Sequence, residues 1–341
     1  MSYADKVFKN TCKDILNNGI DTKGELVRPI WPDTGEKAYT IKKFGVVHRY
    51  DLRKEFPIIT LRPTGIKSAT EELLWIWQKK SNNINDFSLK IWDDWADQFG
   101  SIGKAYGYQI GQKYNHHEIT RYNAQKEYDE NVSLKFYKDV DEYMNKQVDK
   151  SIYPSAEYSF DIKGDNVKKD FNIRAYLKLD QIDAVIWDLK HNPYSRRIMT
   201  NIYNFNDLYQ MGLYPCAYSM TFNVTKDKDS DKLILNGILN QRSQDTLAAL
   251  SWNEVQYAVL IHMIAQCCDM IAGEFVHVIA DCHIYDRHIP IIEELISREE
   301  YPAPEFWLNP DIHNFYDFTR DDVKLINYQH GPQIKNIPVA V

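Results

Sequence analysis

Apolar side chains at Val7, Phe8, Cys12, Ile15 and Leu16 recur with a helical period, so residues 5–18 are predicted to form an amphipathic helix closed by Gly19 as its C-terminal cap. Residues 21–43 show no such period and read as a loop, while 45–52 read as a strand. After Pro63-Thr64-Gly65 the run Glu71-Glu72-Leu73-Leu74-Trp75-Ile76-Trp77 returns to a helical pattern, with its acids in the first turns where the helix dipole favours them. Glu72 is thereby placed on an otherwise apolar helix.

From about residue 113 to 172 the pattern weakens. Lys, Asp, Glu, Asn and Tyr dominate and turn signals such as Lys163-Gly164-Asp165 interrupt, so this stretch reads as an insertion rich enough in Tyr and Phe to fold as a small charged subdomain. A helix is predicted over 181–190, then strands over 197–203, 218–224 and 232–239. Ser251-Trp252-Asn253-Glu254 matches a capping box and should open a long helix running to about Met270. That helix is apolar on nearly all sides (Val255, Ala258, Val259, Leu260, Ile261, Met263, Ile264), the mark of a buried central element. Residues 275–280 read as a strand and 289–297 as a helix, and no repeat is visible.

Composition narrows the function classes. A chain of 341 residues with 44% hydrophobic content can bury a sizeable core, and a net charge of -7 argues against a general nucleic-acid binder, which needs clustered cations to displace counterions. No apolar run approaches a membrane span, and the N-terminus lacks the basic start and apolar core of a signal peptide, so a cytoplasmic setting is expected. Five cysteines, odd in number and irregularly spaced, fit reduced thiols.

Candidate chemistry concentrates in a few segments. Pro215-Cys216 offers a thiol, and Gln241-Arg242-Ser243-Gln244-Asp245 offers a cation, a hydroxyl and a carboxylate suited to a phosphorylated ligand. Lone cysteines are commonly inert core residues, but Arg242 would favour the thiolate. Arg196-Arg197, at a predicted strand start, form either a phosphate fork or a solvated pair. His283 and Tyr285 share a face if their strand continues, suiting a sugar hydroxyl, although a satisfied core histidine is the commoner role. Trp92 and Trp95 could wall a flat heterocycle or simply pack as core. His116-His117 read as solvated. Adjacent Cys267-Cys268 with Cys282-His283 lack zinc-ligand spacing, so no metal is expected, and there is no glycine-rich phosphate loop.

Taken in order, Glu71-Glu72-Leu73-Leu74-Trp75, Ile91-Trp92-Asp93-Asp94-Trp95-Ala96-Asp97, Ala105-Tyr106-Gly107, Ser195-Arg196-Arg197, Pro215-Cys216, Gln241-Arg242-Ser243-x-Asp245, Asn253, Asp281-Cys282-His283-Ile284-Tyr285 and terminal Val339-Ala340-Val341 closely resemble the folate-dependent thymidylate synthase family. The resemblance spans the chain apart from the insertion. It implies an α/β (α+β) fold, a single domain over 1–341 carrying the insertion, with a large twisted mixed sheet forming a homodimer interface. It implies that Cys216 adds to C6 of dUMP, with 5,10-methylenetetrahydrofolate as cosubstrate. Arg242 and Ser243 would hold the phosphate with Arg28, and with Arg196 and Arg197 supplied to the partner's site. Asn253 would read the uracil edge, Gln241 would support the nucleotide, and His283 and Tyr285 would bond the deoxyribose. Glu72 would move protons with help from Tyr106, Trp92 and Trp95 would flank the folate, and Asp245 would serve the substrate site and the pterin ring. The Val341 carboxylate would close over the complex.

This chain departs from the family pattern at Ala217, where His usually follows the nucleophile, and at Ala249-Leu250-Ser251-Trp252 in place of Gly-Leu-Pro-Phe. The Ala249 methyl is expected to fall where backbone approaches the base. Two other functions stay open at this level: a hydroxymethylase in which water captures the same intermediate, and a non-catalytic nucleotide-binding homologue.

Overall fold

The computed structural model describes residues 2–125, 130–165 and 170–341. In chain order it contains α1 (Tyr3–Asn18), β1 (Ile20–Asp21), β2 (Thr40–Asp51), α2 (Ile66–Trp77), α3 (Gly107–Ile110), β3 (Tyr114–Gln125), α4 (Glu130–Gln147), β4 (Glu157–Asp165), β5 (Asp170–Leu179), α5 (Gln181–His191) and β6 (Met199–Asn201). Then come β7 (Ala217–Lys226), β8 (Leu233–Gln241), β9 (Gln244–Asp245), α6 (Leu250–Cys267), β10 (Ile271–Tyr285), α7 (Ile289–Ser297), β11 (Glu305–Leu308) and β12 (Val323–Ile326).

One mixed sheet runs β1-β2-β10-β8-β7-β6, with β9 also paired to β10. β10 is antiparallel to β2 but parallel to β8 and β9. The sheet needs that parallel pair because α6 crosses over between β8 and β10, and a helix is the usual way to return a chain to the same end. α6 lies against the sheet, with α2 on its other side. Val255, Ala258, Val259, Leu260, Ile261, Met263 and Ile264 are all fully buried, so this is the central helix its apolar circumference foretold. Burying each of the larger aliphatic side chains there contributes roughly 1.5–3 kcal/mol.

Several local expectations are corrected. Gly19 does end α1, but in extended backbone (φ -75°, ψ 166°). Glycine is required there by crowding, since a Cβ would lie 2.4 Å from the Ile15 carbonyl oxygen and 2.6 Å from Ile41 Cγ2. The predicted strand at 197–203 shrinks to β6, leaving Arg196 and Arg197 exposed on the turn before it. The capping box at Ser251 does not form. The helix starts two residues earlier, with Ala249 at its N-cap, Ser251 Oγ meets Thr64 Oγ1 at 3.1 Å, and Glu254 turns inward to His48 Nδ1 (2.7 Å) and the Tyr50 hydroxyl (3.0 Å). A first turn packed against the sheet gives this carboxylate buried donors that outcompete its own backbone. No side chain caps α6; Asp245 instead closes the turn before it, accepting from the Leu247 and Ala248 amides at 2.9 and 3.0 Å.

The weakly patterned stretch contains regular structure. β3, β5 and β4 form an antiparallel three-stranded sheet with α4 beside it, and Phe136, Val140, Ile173 and Ala175 make a small core of their own. β5 runs past the compositional boundary to Leu179. Where this unit meets the main body, Ser155 donates to Asp183 (2.5 Å), and Lys80 pairs with Asp180 and donates to the Tyr316 hydroxyl (2.6 Å). His116, expected in solvent, is largely covered and bonds Asp188 at 2.9 Å, whereas His117 is exposed.

His262, on α6, is partly exposed and packs beside the stacked rings of Phe56 and Phe306, and desolvation lowers its pKa to about 4 from 6.5. A depressed base is bound by protons in the unfolded chain first, so stability is lost as pH falls from 6.5 toward 4. His262→Phe is expected to remove about 3 kcal/mol of that acid sensitivity, read as a flatter dependence of the urea midpoint on pH. Among the described residues no helix is long and apolar enough to cross a membrane.

Candidate active site

Cys216 sits on the turn leading into β7, and the β7–β8 register, with Ala217 opposite Gln241, brings Arg242 alongside it. The Arg242 amide donates to the Cys216 carbonyl (2.9 Å), while its guanidinium donates through Nε to Pro215 O (3.0 Å) and through Nη2 to Tyr214 O (2.7 Å). The guanidinium therefore clasps the turn carrying the thiol and leaves Nη1 for an anion. Burial pushes the Cys216 pKa up, and the charges of Arg242 and Arg28 pull against it without overcoming it. From the other side the Tyr106 hydroxyl accepts the Cys216 amide at 3.3 Å. Tyr106 holds a left-handed φ of 43° with ψ -102°, a conformation costing a β-carbon residue roughly 1–3 kcal/mol.

Glu72 lies buried on α2 and accepts from three N–H groups: Trp92 Nε1 (2.6 Å), Trp252 Nε1 (2.5 Å) and Gln256 Nε2 (2.6 Å). Burial raises its pKa, and these donors offset part of the rise. Gln256 Oε1 accepts from Asn253 Nδ2 (3.2 Å), and Asn253 Oδ1 accepts from Gln241 Nε2 (3.3 Å), which also donates to Ser243 O (3.0 Å). An unbroken run of side-chain amides thus joins the strand bearing Gln241 to the Glu72 carboxylate.

Trp92 is buried with its ring against Tyr106 (4.8 Å between centroids) and Trp95 (5.8 Å). On the long β10, His283 bonds Asp281 at 2.7 Å and its ring meets Tyr285 edge-on at 5.0 Å. Burial works to raise the Asp245 carboxyl, but the bond and charge of His288, with His283 beyond, hold it below the usual range. His288 Nε2 in turn reaches Pro338 O at 2.7 Å. Val341 is docked, exchanging two backbone bonds with Ile30 (2.9 and 3.0 Å), two residues after the exposed Arg28.

A thiol, a buried carboxylate, an amide reader and an arginine in one cluster can support covalent addition to a heterocycle with proton transfer. The family model described as thymidylate synthase matches residues 6–341. This chain belongs to the thymidylate synthase family. It is 35% identical over 337 residues to thymidylate synthase 1 of Bacillus subtilis (strain 168), covering 98% of each chain, and equally identical, with the same coverage, to the thymidylate synthase of Bacillus phage phi3T. Among solved structures it is similar to the thermostable thymidylate synthase A from Bacillus subtilis, with a TM-score of 0.75 and 34% identity over the whole of both chains.

Of the residues singled out in the sequence, Cys216, Tyr106 and Arg242 come into direct contact, as do Glu72 and Trp92, and Gln241, Asn253 and Ser243. Arg28, Arg196 and Arg197 make no side-chain bond with any of these among the described residues. Ala249 has φ -120°, so this backbone position does not demand glycine. Ligand-type atoms within 4.8 Å of one another occur at His48, Glu254 and His277 rather than at the cysteines. Sequence reasoning passed over Trp252, Gln256 and His277. Gln256 was findable, since it follows Asn253 by one helical turn and so shares its face.

Removing one donor tests the electrostatics. Trp252→Phe deletes the shortest of the three bonds to Glu72, which favour the ionised form. The acidic limb of the kcat–pH profile is expected to move to higher pH while the alkaline limb stays put.

Proposed function

We propose that this protein converts dUMP to dTMP, with Cys216 as nucleophile and 5,10-methylenetetrahydrofolate as cosubstrate. The observation carrying this reading is the joint placement of Cys216 under Arg242 and Tyr106 with Glu72 at the far end of the amide run from Gln241, in a chain matching the family throughout.

Cys216 Sγ adds to C6 of the pyrimidine, shifting electron density to C5 and O4. Arg242 Nη1 and the Ser243 hydroxyl take the phosphate, and Arg28 lies near enough to lower the thiol pKa and join them. Asn253 presents its spare N–H to O4 and its spare lone pair to N3–H. Tyr106 assists loss of the C5 proton, Glu72 moves it onward, and the C6–Sγ bond breaks as the methylated product forms, returning Cys216 as the thiolate. His283 and Tyr285 bond the deoxyribose 3′-hydroxyl. The folate supplies the one-carbon unit and the hydride; Trp92 and Trp95 would hold it, with Asp245 toward its ring and the Val341 carboxylate over its outer edge. Two indoles meeting edge-on beside Glu72 suit a flat ring and exclude water.

We place the chain in the cytosol, where its five free cysteines stay reduced. A homodimer through the open face of the main sheet fits the apolar side chains left in solvent there, Phe44 (91% exposed), Val47 (49%) and Ile238 (39%). It would send Arg196 and Arg197 to the partner's phosphate. The residues at 114–179 form an accessory unit of the one domain.

The test is to mix enzyme, dUMP and methylenetetrahydrofolate, identify the products by mass spectrometry and follow the absorbance rise of dihydrofolate. dTMP with stoichiometric dihydrofolate is expected. 5-Hydroxymethyl-dUMP without the absorbance change would overturn the reductive step.

A further inference from the structure

The amide run has a direction, and it begins outside the residues assigned so far. At one end Gln256 Nε2 faces only acceptors, Glu72 Oε2 (2.6 Å) and Ala69 O (3.3 Å), so its amide is fixed with nitrogen outward and Oε1 toward Asn253. Asn253 must then offer Nδ2 to Gln256 and Oδ1 to Gln241. At the other end Gln241 Oε1 faces His277 Nε2 at 2.9 Å. An amide oxygen needs a donor, so that ring nitrogen carries the proton.

His277 is fully buried on β10 and held on every side. Its ring stacks with Phe275 (6.1 Å, 13°) and meets His48 edge-on (6.1 Å, 84°), and its Nδ1 faces Glu254 Oε1 at 3.4 Å. Glu254 is already taken by closer partners, His48 Nδ1 at 2.7 Å and the Tyr50 hydroxyl at 3.0 Å, and His48 Nε2 meets Thr11 Oγ1 at 2.8 Å. Burial lowers the His277 pKa while Glu254 pulls against it, and the Nε2 proton faces Gln241 whether or not Nδ1 also carries one.

We propose that His277 is a positioning residue: by donating to Gln241 it sets the direction of the Gln241–Asn253–Gln256 run and so makes the site prefer uracil to cytosine. Uracil shows an acceptor at O4 and a donor at N3; cytosine shows a donor at N4 and an acceptor at N3. An asparagine amide turned end for end would read the second pattern as readily as the first, and nothing in an isolated amide prevents the turn. Here every amide is held by the next, and His277 supplies the donor without which Gln241 Oε1 is buried and unpaired, a state that drives reorientation. This inference rests on the proposed placement of Gln241 and Asn253 against the pyrimidine.

The experiment compares His277→Phe, His277→Gln and Gln241→Ala with the parent, reading kcat, KM for dUMP, the inhibition constant of dCMP and Tm. His277→Phe keeps a ring of similar size but no donor. KM for dUMP is expected to rise about 10-fold with a smaller change in kcat, and the preference for dUMP over dCMP to fall about 10-fold. His277→Gln, with an N–H able to reach Gln241, should recover most of both. If His277→Phe does not fold, His277→Asn, which keeps a polar group opposite Glu254 but falls short of Gln241, gives the same readout and the same expectation. Unchanged KM and preference in the donor-less variants, or a fall in Tm alone, would overturn the proposal, as would His277→Gln restoring Tm without restoring preference. Should Gln241→Ala also leave dUMP binding untouched, the placement of the base is at fault rather than the role of His277.

Discussion

Cys216→Ser is expected to lower turnover by about 10⁴-fold or more, because a hydroxyl beside Arg242 stays protonated where a thiol can ionise, and every later step needs the covalent adduct. Incubation with 5-fluoro-dUMP and methylenetetrahydrofolate should add the mass of both ligands to the parent protein and nothing to the variant. The variant should still bind dUMP, since the phosphate and base partners are separate side chains. An adduct surviving in Cys216→Ser would put the nucleophile elsewhere. Because burial keeps the free thiol's pKa high, adduct formation should quicken as pH rises.

The second large effect concerns stability. Glu254 is enclosed by His48, Tyr50 and His277, and although burial opposes ionisation, His48 and His277 bring its pKa to about 2 from 4.5. A depressed acid stabilises the fold above its unfolded pKa and ceases to do so as pH falls through the folded one. About 3 kcal/mol should therefore be lost between pH 4.5 and 2. Glu254→Leu removes the acceptor and strands two imidazoles and a phenol in the core, at about 3–5 kcal/mol. Chemical denaturation at pH 7 would show the loss directly, and below pH 3 the gap between parent and variant should narrow. Equal midpoints at pH 7 would mean the cluster relaxes without its carboxylate.

Much of this was legible before any coordinates. The central helix announced itself because a segment apolar all round has no solvent face to offer, and Cys216, Arg242 and Asn253 stood out because their ordered spacing matched a family. Local rules failed where tertiary partners competed. Ser251 and Glu254 have the letters of a capping box, yet the glutamate found two histidines and a tyrosine from strands far away in sequence, which no window of four residues can report. His277 was hidden for the same reason: its meaning comes from Gln241 lying one strand over, with Val276 beside Ile238 fixing the register. The weakly patterned insertion concealed strands because a thin layer, covered on one side by a single helix, needs few apolar positions.

Tyr106 carries one more consequence. Its φ of 43° and ψ of -102° are tolerable for glycine and uncomfortable for tyrosine, so the fold accepts roughly 1–3 kcal/mol of strain to keep the ring against Trp92 and the hydroxyl facing Cys216. Tyr106→Gly would release that strain but empty a buried aromatic site, at about 3–5 kcal/mol, so the stability of the core and the chemistry at Cys216 both hold the tyrosine in place.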